Sequence, residues 1–397
     1  MDEYEQKATP YGGRGLFATK GLSAGTVILT CNEPYAWVIY KKFRKEVCAE
    51  CFLYVRDDIV AQKARRLAWK IRPSNSSGAF GEGVWFCSEK CRDDWGTIGC
   101  YSSEAAAIQR AIDRLHASML GKQGKRGQAN EAIPNPTPVT NNDEDDLDRT
   151  IYARWKTAES SLMKDILRSQ PLSEAELETA RFLSSAVIRC WREELDTLGE
   201  IAQNDSQAPK FLSKWKNLLT LQNNEAAHLR AHPDTLDTWI RVYTFLRCAA
   251  QAASSAIPST LASYFEGSER IRDVLARDHG NVFGIWEEGE AMLDHNRDDE
   301  SEMLGFAMYI DGSYFNHSCD PNVRKTRRGR AMEFWTTREV VAGEELNINY
   351  IDTKADWKSR RKELLSGWYF DCQCRRCLDE QASDITTENG REGFPPR

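Results

Sequence analysis

A chain of 397 residues, 41% hydrophobic and 28% charged, has ample material for a packed core, and at about 150 residues per domain it predicts two or three domains. Small disulfide-stapled scaffolds and wholly disordered chains are excluded, the latter also by 12 tryptophans that call for burial. A net charge of −7, from 53 Lys+Arg against 60 Asp+Glu, excludes a uniformly basic, polyphosphate-binding surface, so direct nucleic-acid binding is not expected.

The start, MDEYEQKATP, is polar and acidic where a secretory signal is basic and then apolar, and no run approaches the roughly 18 apolar residues of a membrane span. The expectation is an intracellular protein, nuclear or cytoplasmic, without membrane contact. In a reducing compartment its 12 cysteines read as metal ligands or core residues. Residues 11–40 open on the turn Gly12-Gly13-Arg14-Gly15 and pass into strand-like runs, Leu16-Phe17-Ala18 and Thr26-Val27-Ile28-Leu29. No Gly-Lys-Ser/Thr follows and no G-x-G-x-x-G opens a helix, which argues against a phosphate cradle.

Cys48-Ala-Glu-Cys51 and Cys87-Ser-Glu-Lys-Cys91 are two short chelating pairs, and together they predict one four-thiolate zinc site. Cys31 and Cys100 have no local partner and read as core residues. From Lys122 to Asp148 the chain turns polar, with Pro134, Pro136, Pro138 and the run Asp143-Glu144-Asp145-Asp146, which predicts a disordered insertion. Between about 150 and 276 strand character is lost. Leu236, Trp239, Ile240, Tyr243 and Leu246 recur at helical spacing and read as core, as do Cys190 and Cys248 in helix-like stretches.

Strand signals return at Asn281-Val282-Phe283-Gly284-Ile285-Trp286 and at Ala331-Met332-Glu333-Phe334-Trp335, so the helices interrupt a β protein. From Trp286 to Glu302 acidic residues face the single Arg297, a composition that suits either a solvated loop or attraction of a basic peptide. Arg324 to Arg330 reads as a charged hairpin tip. Near the end, Cys372-Gln-Cys374-Arg-Arg-Cys377 supplies three ligands, and spacing alone leaves Cys319, Cys190 and Cys248 open as the fourth.

Four segments, in order, now stand together: Gly13-Arg14-Gly15-Leu16-Phe17-Ala18, Asn316-His317-Ser318-Cys319-Asp320-Pro321-Asn322, Gly343-Glu344-Glu345-Leu346-Asn347-Ile348-Asn349-Tyr350, and the C-x-C-x-x-C tail. They resemble a SET domain. With a cysteine cluster inserted after the first segment, the chain is similar to the SET and MYND domain class of protein lysine methyltransferases, over residues 11–100 and about 280–378. The resemblance implies an α+β chain: a SET-type β fold with a pseudoknot, a small zinc-binding insertion and a large helical insertion. The implied organisation is an N-terminal SET segment (1–47), a MYND-like zinc insertion (48–100), a connector with a disordered acidic, proline-containing linker (101–149), the helical insertion (150–279), the C-terminal SET core (280–352), a post-SET zinc segment (353–378) and a disordered tail (379–397).

The same resemblance implies S-adenosylmethionine as cofactor, held by Asn316 and His317, by the backbone around Arg14, Gly15 and Leu16, by Asn281 and by Tyr350, with Trp368 and Phe370 at the adenine and the lysine channel. It makes Cys319 the fourth ligand beside Cys372, Cys374 and Cys377. Two structural zinc ions are therefore expected, one in each cluster, because the interval between Cys51 and Cys87 lacks the cysteines of the second site in a complete MYND module. Tyr350 is the expected catalytic residue, a phenol that can orient an amine and meet a transferring methyl group. The expected partner is a lysine-bearing protein, a basic histone tail among the candidates, acted on by a monomer. A zinc-stabilised interaction module without turnover is the alternative use of the same features.

Overall fold

The computed structural model describes residues 3–55, 85–97, 103–123, 144–160, 170–198, 214–287 and 301–391. The chain divides into two compact units, Met1–Glu33 with Ile310–Arg397, and Pro34–Tyr309. In chain order its strands are β1 (Tyr4–Ala8), β2 (Arg14–Ala18), β3 (Val27–Cys31), β4 (Ala36–Ile39), β5 (Val282–Trp286), β6 (Met303–Met308), β7 (Asn316–His317), β8 (Val323–Arg328), β9 (Ala331–Thr336) and β10 (Glu345–Ile348). The strands expected from periodicity fall in β2, β3, β5 and β9.

The first unit holds two sheets, ordered β1-β2-β10-β7 and β3-β9-β8. β2 lies antiparallel to both β1 and β10, with Leu16 opposite Gln6 on one side and Leu346 on the other. Leu16, Ala18, Leu346 and Ile348 are buried, the period-two pattern of strands with one face on a core. β7 runs parallel to β10, with Asn316 opposite Asn347 and His317 opposite Ile348. A parallel pair needs a crossover, and here the β8–β9 hairpin lies between the two strands in sequence. Phe315, one residue before β7, stacks on Phe334 of β9 with ring centroids 4.5 Å apart.

The second unit is built on the antiparallel sheet β4-β6-β5. Helix Glu174–Leu198 lies against it, placing Phe182 4.9 Å from the Phe306 ring and the Ser185 hydroxyl 3.3 Å from the Trp37 amide that donates to it. In helix Thr235–Ala252 the predicted stripe of Leu236, Trp239, Ile240, Tyr243 and Leu246 is buried. Cys190 and Cys248 lie in these two helices and belong to neither cysteine cluster. Among the described residues no helix is long and apolar enough to cross a membrane.

The structure corrects two expectations of disorder. Of the acidic run, Glu144–Asp146 open helix Glu144–Ser160, in which Leu147, Ile151, Trp155 and Ala158 are buried at helical spacing. The apolar stripe that follows the acidic run decides for a packed helix, which composition alone does not register. The connector before it contains helix Ser103–Gln123, with Ile108 and Ile112 fully buried; residues 124–143 lie outside the described residues. Likewise the tail continues as helix Arg375–Arg391. It is anchored by polar contacts that hydropathy does not register: Arg360 donates to Glu380 (2.9 Å), Arg361 to Gln381 (3.0 Å) and the Trp357 indole to Asp384 (2.9 Å).

Ending the chain at residue 378 removes those three partners. Hydrogen bonds to charged groups contribute about 1.5–3 kcal/mol each before solvent screening reduces the exposed ones. The shortened chain is therefore expected to melt several degrees lower by calorimetry, and an unchanged Tm contradicts a packed C-terminal helix.

Candidate functional site

The parallel β7–β10 pair brings the two late motifs together, and β2 brings the first beside them. The Asn316 side-chain amide donates to the Arg14 carbonyl (3.0 Å) and to Glu345 Oε1 (2.8 Å), and reaches the Tyr11 hydroxyl at 3.3 Å. Tyr11 in turn donates to the same Glu345 oxygen. Burial, with the Glu345 carboxylate beside it, raises the Tyr11 phenol well above its ordinary value. Gly15 makes this approach possible: a Cβ there would sit 2.5 Å from Glu345 Oε1 and 2.7 Å from Asn316 Nδ2. Leu16 faces the core and is paired on both sides, with Gln6 of β1 and Leu346 of β10.

His317 is buried and uses both ring nitrogens. Its Nδ1 accepts the Tyr350 backbone N–H at 3.0 Å, which assigns the ring proton to Nε2, 3.3 Å from Cys319 Sγ. Burial lowers the ring to about 4, against the opposing pull of Cys374, so it is neutral at pH 7. The Tyr350 hydroxyl donates to the Phe315 carbonyl at 2.7 Å. Its only proton is thereby committed, and the oxygen presents lone pairs to whatever lies opposite. Burial, with a smaller contribution from the Glu345 charge, raises Tyr350 above the ordinary phenol value, so it stays protonated at neutral pH.

Helix Trp357–Trp368 ends at Tyr369, whose left-handed backbone (φ 63°) turns the chain between Trp368 and Phe370. Both flanking rings then face Tyr350, Trp368 at 5.7 Å and Phe370 edge-on at 6.4 Å, and Phe370 also lies 6.2 Å from His317. Asn281 belongs to the other unit, where its amide donates to the Arg277 carbonyl at 2.8 Å.

Both cysteine groups converge. In the second unit the sulfurs of Cys48, Cys51, Cys87 and Cys91 lie within 4.8 Å of one another. Phe52, in left-handed backbone after Cys51, reverses the chain, and the Cys87 amide donates to Cys48 Sγ at 3.4 Å. In the first unit Cys319, Cys372, Cys374 and Cys377 are gathered within the same limit. Sulfurs about 2.3 Å from a tetrahedral zinc stand roughly 3.8 Å apart. The separations here are 3.6 and 3.5 Å in the first group and 4.0 and 3.5 Å in the second, so both donor sets fit the ion in size and chemistry. Cys100 lies outside the described residues.

Sequence reasoning missed three residues around these sites. Glu345 stands in a quoted motif without an assigned role, and Tyr11 lies two residues before Gly13. Arg360 donates to Cys377 Sγ (3.5 Å) and to Glu380. In sequence it is one cation of the Lys358–Lys362 run, and nothing there marks it as the buried one.

The family model described as the SET domain matches residues 13–351. The potential protein lysine methyltransferase SET6 of Saccharomyces cerevisiae is 27% identical over 399 residues, covering 96% of each chain. A SET and MYND domain-containing protein of Dictyostelium discoideum is 25% identical over 379 residues, 94% of this chain and 59% of that protein. Over a shorter stretch of 99 residues, 25% of this chain and 23% of the other, N-lysine methyltransferase SMYD2-B of Xenopus laevis is 35% identical. With the matched span running from the Gly13 turn past Tyr350, and the motifs of β2, β7 and β10 packed in one sheet, the chain belongs to the SET-domain family.

Proposed function

We propose that this chain is a protein lysine N-methyltransferase that uses S-adenosylmethionine. The observation that carries the reading is the setting of Tyr350: a half-buried phenol whose proton is held by the Phe315 carbonyl, whose backbone is held by His317, and whose ring faces Trp368 and Phe370. The lysine methyltransferases named among its relatives support it.

Asn316, packed directly on Gly15 with the Arg14 carbonyl and Glu345 beside it, supplies polar groups that suit the amino-acid half of S-adenosylmethionine. When bound, that molecule supplies an electrophilic sulfonium methyl. The reaction is an in-line displacement: the lysine nitrogen forms a bond to the methyl carbon as the sulfur–carbon bond breaks, and the amine proton leaves to water. Tyr350 Oη orients the amine and accepts weak C–H contacts from the methyl in flight. Trp368 and Phe370 keep water from the amine and disfavour its ammonium form. Zinc in both cysteine clusters would be structural, since four thiolates leave no open position. A basic peptide, histone tails among them, suits the acidic sequence from Glu287 to Glu302, of which residues 288–300 lie outside the described residues.

Transfer of radiolabelled methyl to a lysine-bearing protein library tests the reading. Tyr350→Phe is expected to lower kcat on the order of 100-fold while leaving S-adenosylmethionine binding within a few-fold; binding without transfer by the wild-type chain favours the silent interaction module. Because burial raises Tyr350, its ionisation adds no descending limb near neutrality, and the rate should climb with pH toward the lysine value of about 10.4. Loss of activity between pH 7 and 9 contradicts this assignment. Elemental analysis is expected to give about two zinc ions per chain and about one after Cys48→Ser with Cys51→Ser; a metal-free wild-type protein removes both sites.

A further inference from the structure

The C-terminal cysteine cluster poses a charge problem. Zinc with four thiolates carries a net charge of −2, and burying such a charge without a counter-ion is costly. The cluster is buried at Cys319, Cys372 and Cys377. Against it stands a cation that is equally unusual in its place: Arg360, fully buried in helix Trp357–Trp368.

The Arg360 guanidinium donates through Nη2 to Cys377 Sγ at 3.5 Å and to Glu380 Oε2 at 2.9 Å, and through Nη1 to the Ala355 carbonyl. Among the described residues its Nε has no hydrogen-bond partner, so its own hydrogen bonds do not account for burying this side chain. Glu380 Oε1 accepts from Arg376, which also donates to the Cys319 carbonyl at 3.0 Å. Two guanidiniums thus share one carboxylate, and the surplus positive charge lies beside two of the four ligands. At the N-terminal cluster the contacts to sulfur come from a backbone amide and from other cysteines, and among the described residues no guanidinium donates to it.

We infer that Arg360 is the compensating cation of the Cys319–Cys372–Cys374–Cys377 centre, holding its zinc and shielding the Cys377 thiolate. The inference rests on the zinc reading of that cluster and is independent of methyl transfer. Arg360 is a positioning residue: it neutralises the buried ligand set and lowers the nucleophilicity of the sulfur it touches.

Zinc release to a chromogenic chelator, followed on the full chain, separates charge from packing. Arg360→Met is expected to speed release of one of the two ions about 10- to 100-fold and leave the other unchanged, with Arg360→Lys restoring part of the difference. Leu364→Ala, fully buried in the same helix and packed on the same cluster, should lower Tm without that acceleration. Wild-type release from Arg360→Met, or equal acceleration by Leu364→Ala, overturns the inference. A measurement on the wild-type protein guards against a variant that does not fold: during alkylation by N-ethylmaleimide, mass spectrometry should show Cys377 reacting at least about tenfold more slowly than Cys372, which is similarly buried. Equal or faster reaction at Cys377 also overturns it. A wild-type chain with no zinc removes the metal reading and this inference together.

Discussion

The register of two short strands, β7 against β10, sets the relative positions of Asn316, His317 and Tyr350. The pairing is only two residues long, so it needs help, and a buried amide supplies it. Asn322 donates to the Glu345 carbonyl (2.8 Å) and Glu344 Oε1 (3.0 Å), while its oxygen accepts the Asn347 amide at 2.8 Å. The Ser318 amide adds a bond to the Ile348 carbonyl at 2.9 Å. A buried polar network with its members satisfied penalises any slip, because a shifted register would leave donors and acceptors unpaired. A one-residue slip would also turn Leu346 and Ile348 out of the core.

That register has consequences in two directions. Toward β2 it packs Asn316 against Gly15 and the Arg14 carbonyl. Toward the C-terminus it delivers His317 to a position between the Tyr350 backbone and Cys319, so one imidazole joins the Tyr350 main chain to a metal-ligand set. The two cysteine clusters accordingly differ in kind. The N-terminal one gathers two local pairs around a turn. The C-terminal one ties Cys319 to residues 53 and 58 positions away, and an ion bound there would fix β7 and the C-terminal helices in one arrangement.

Much of the fold was legible because it rests on local periodicity and motif: the strands at Leu16 and Phe334, the helix around Trp239, and the Asn316 and Tyr350 motifs. The fourth ligand of the tail cluster was not legible from spacing, since Cys319 meets Cys377 only through tertiary structure; the resemblance placed it there. Disorder was over-read where helices carry their anchors as charges. Glu380, Gln381 and Asp384 look like solvated residues in sequence, yet each pairs with helix Trp357–Trp368. Arg360 and Asn322 were invisible for the same reason: a polar residue reveals a buried role only when its partners come from elsewhere in the chain.

The most direct measurement of the central claim is a crystal structure of the protein with S-adenosylhomocysteine and a lysine peptide. The account predicts the amino-acid half of the ligand against Asn316 and the Arg14 backbone, with the lysine nitrogen within hydrogen-bond reach of the Tyr350 hydroxyl. A ligand bound away from the β7–β10 pair, or a lysine that does not approach that phenol, contradicts it.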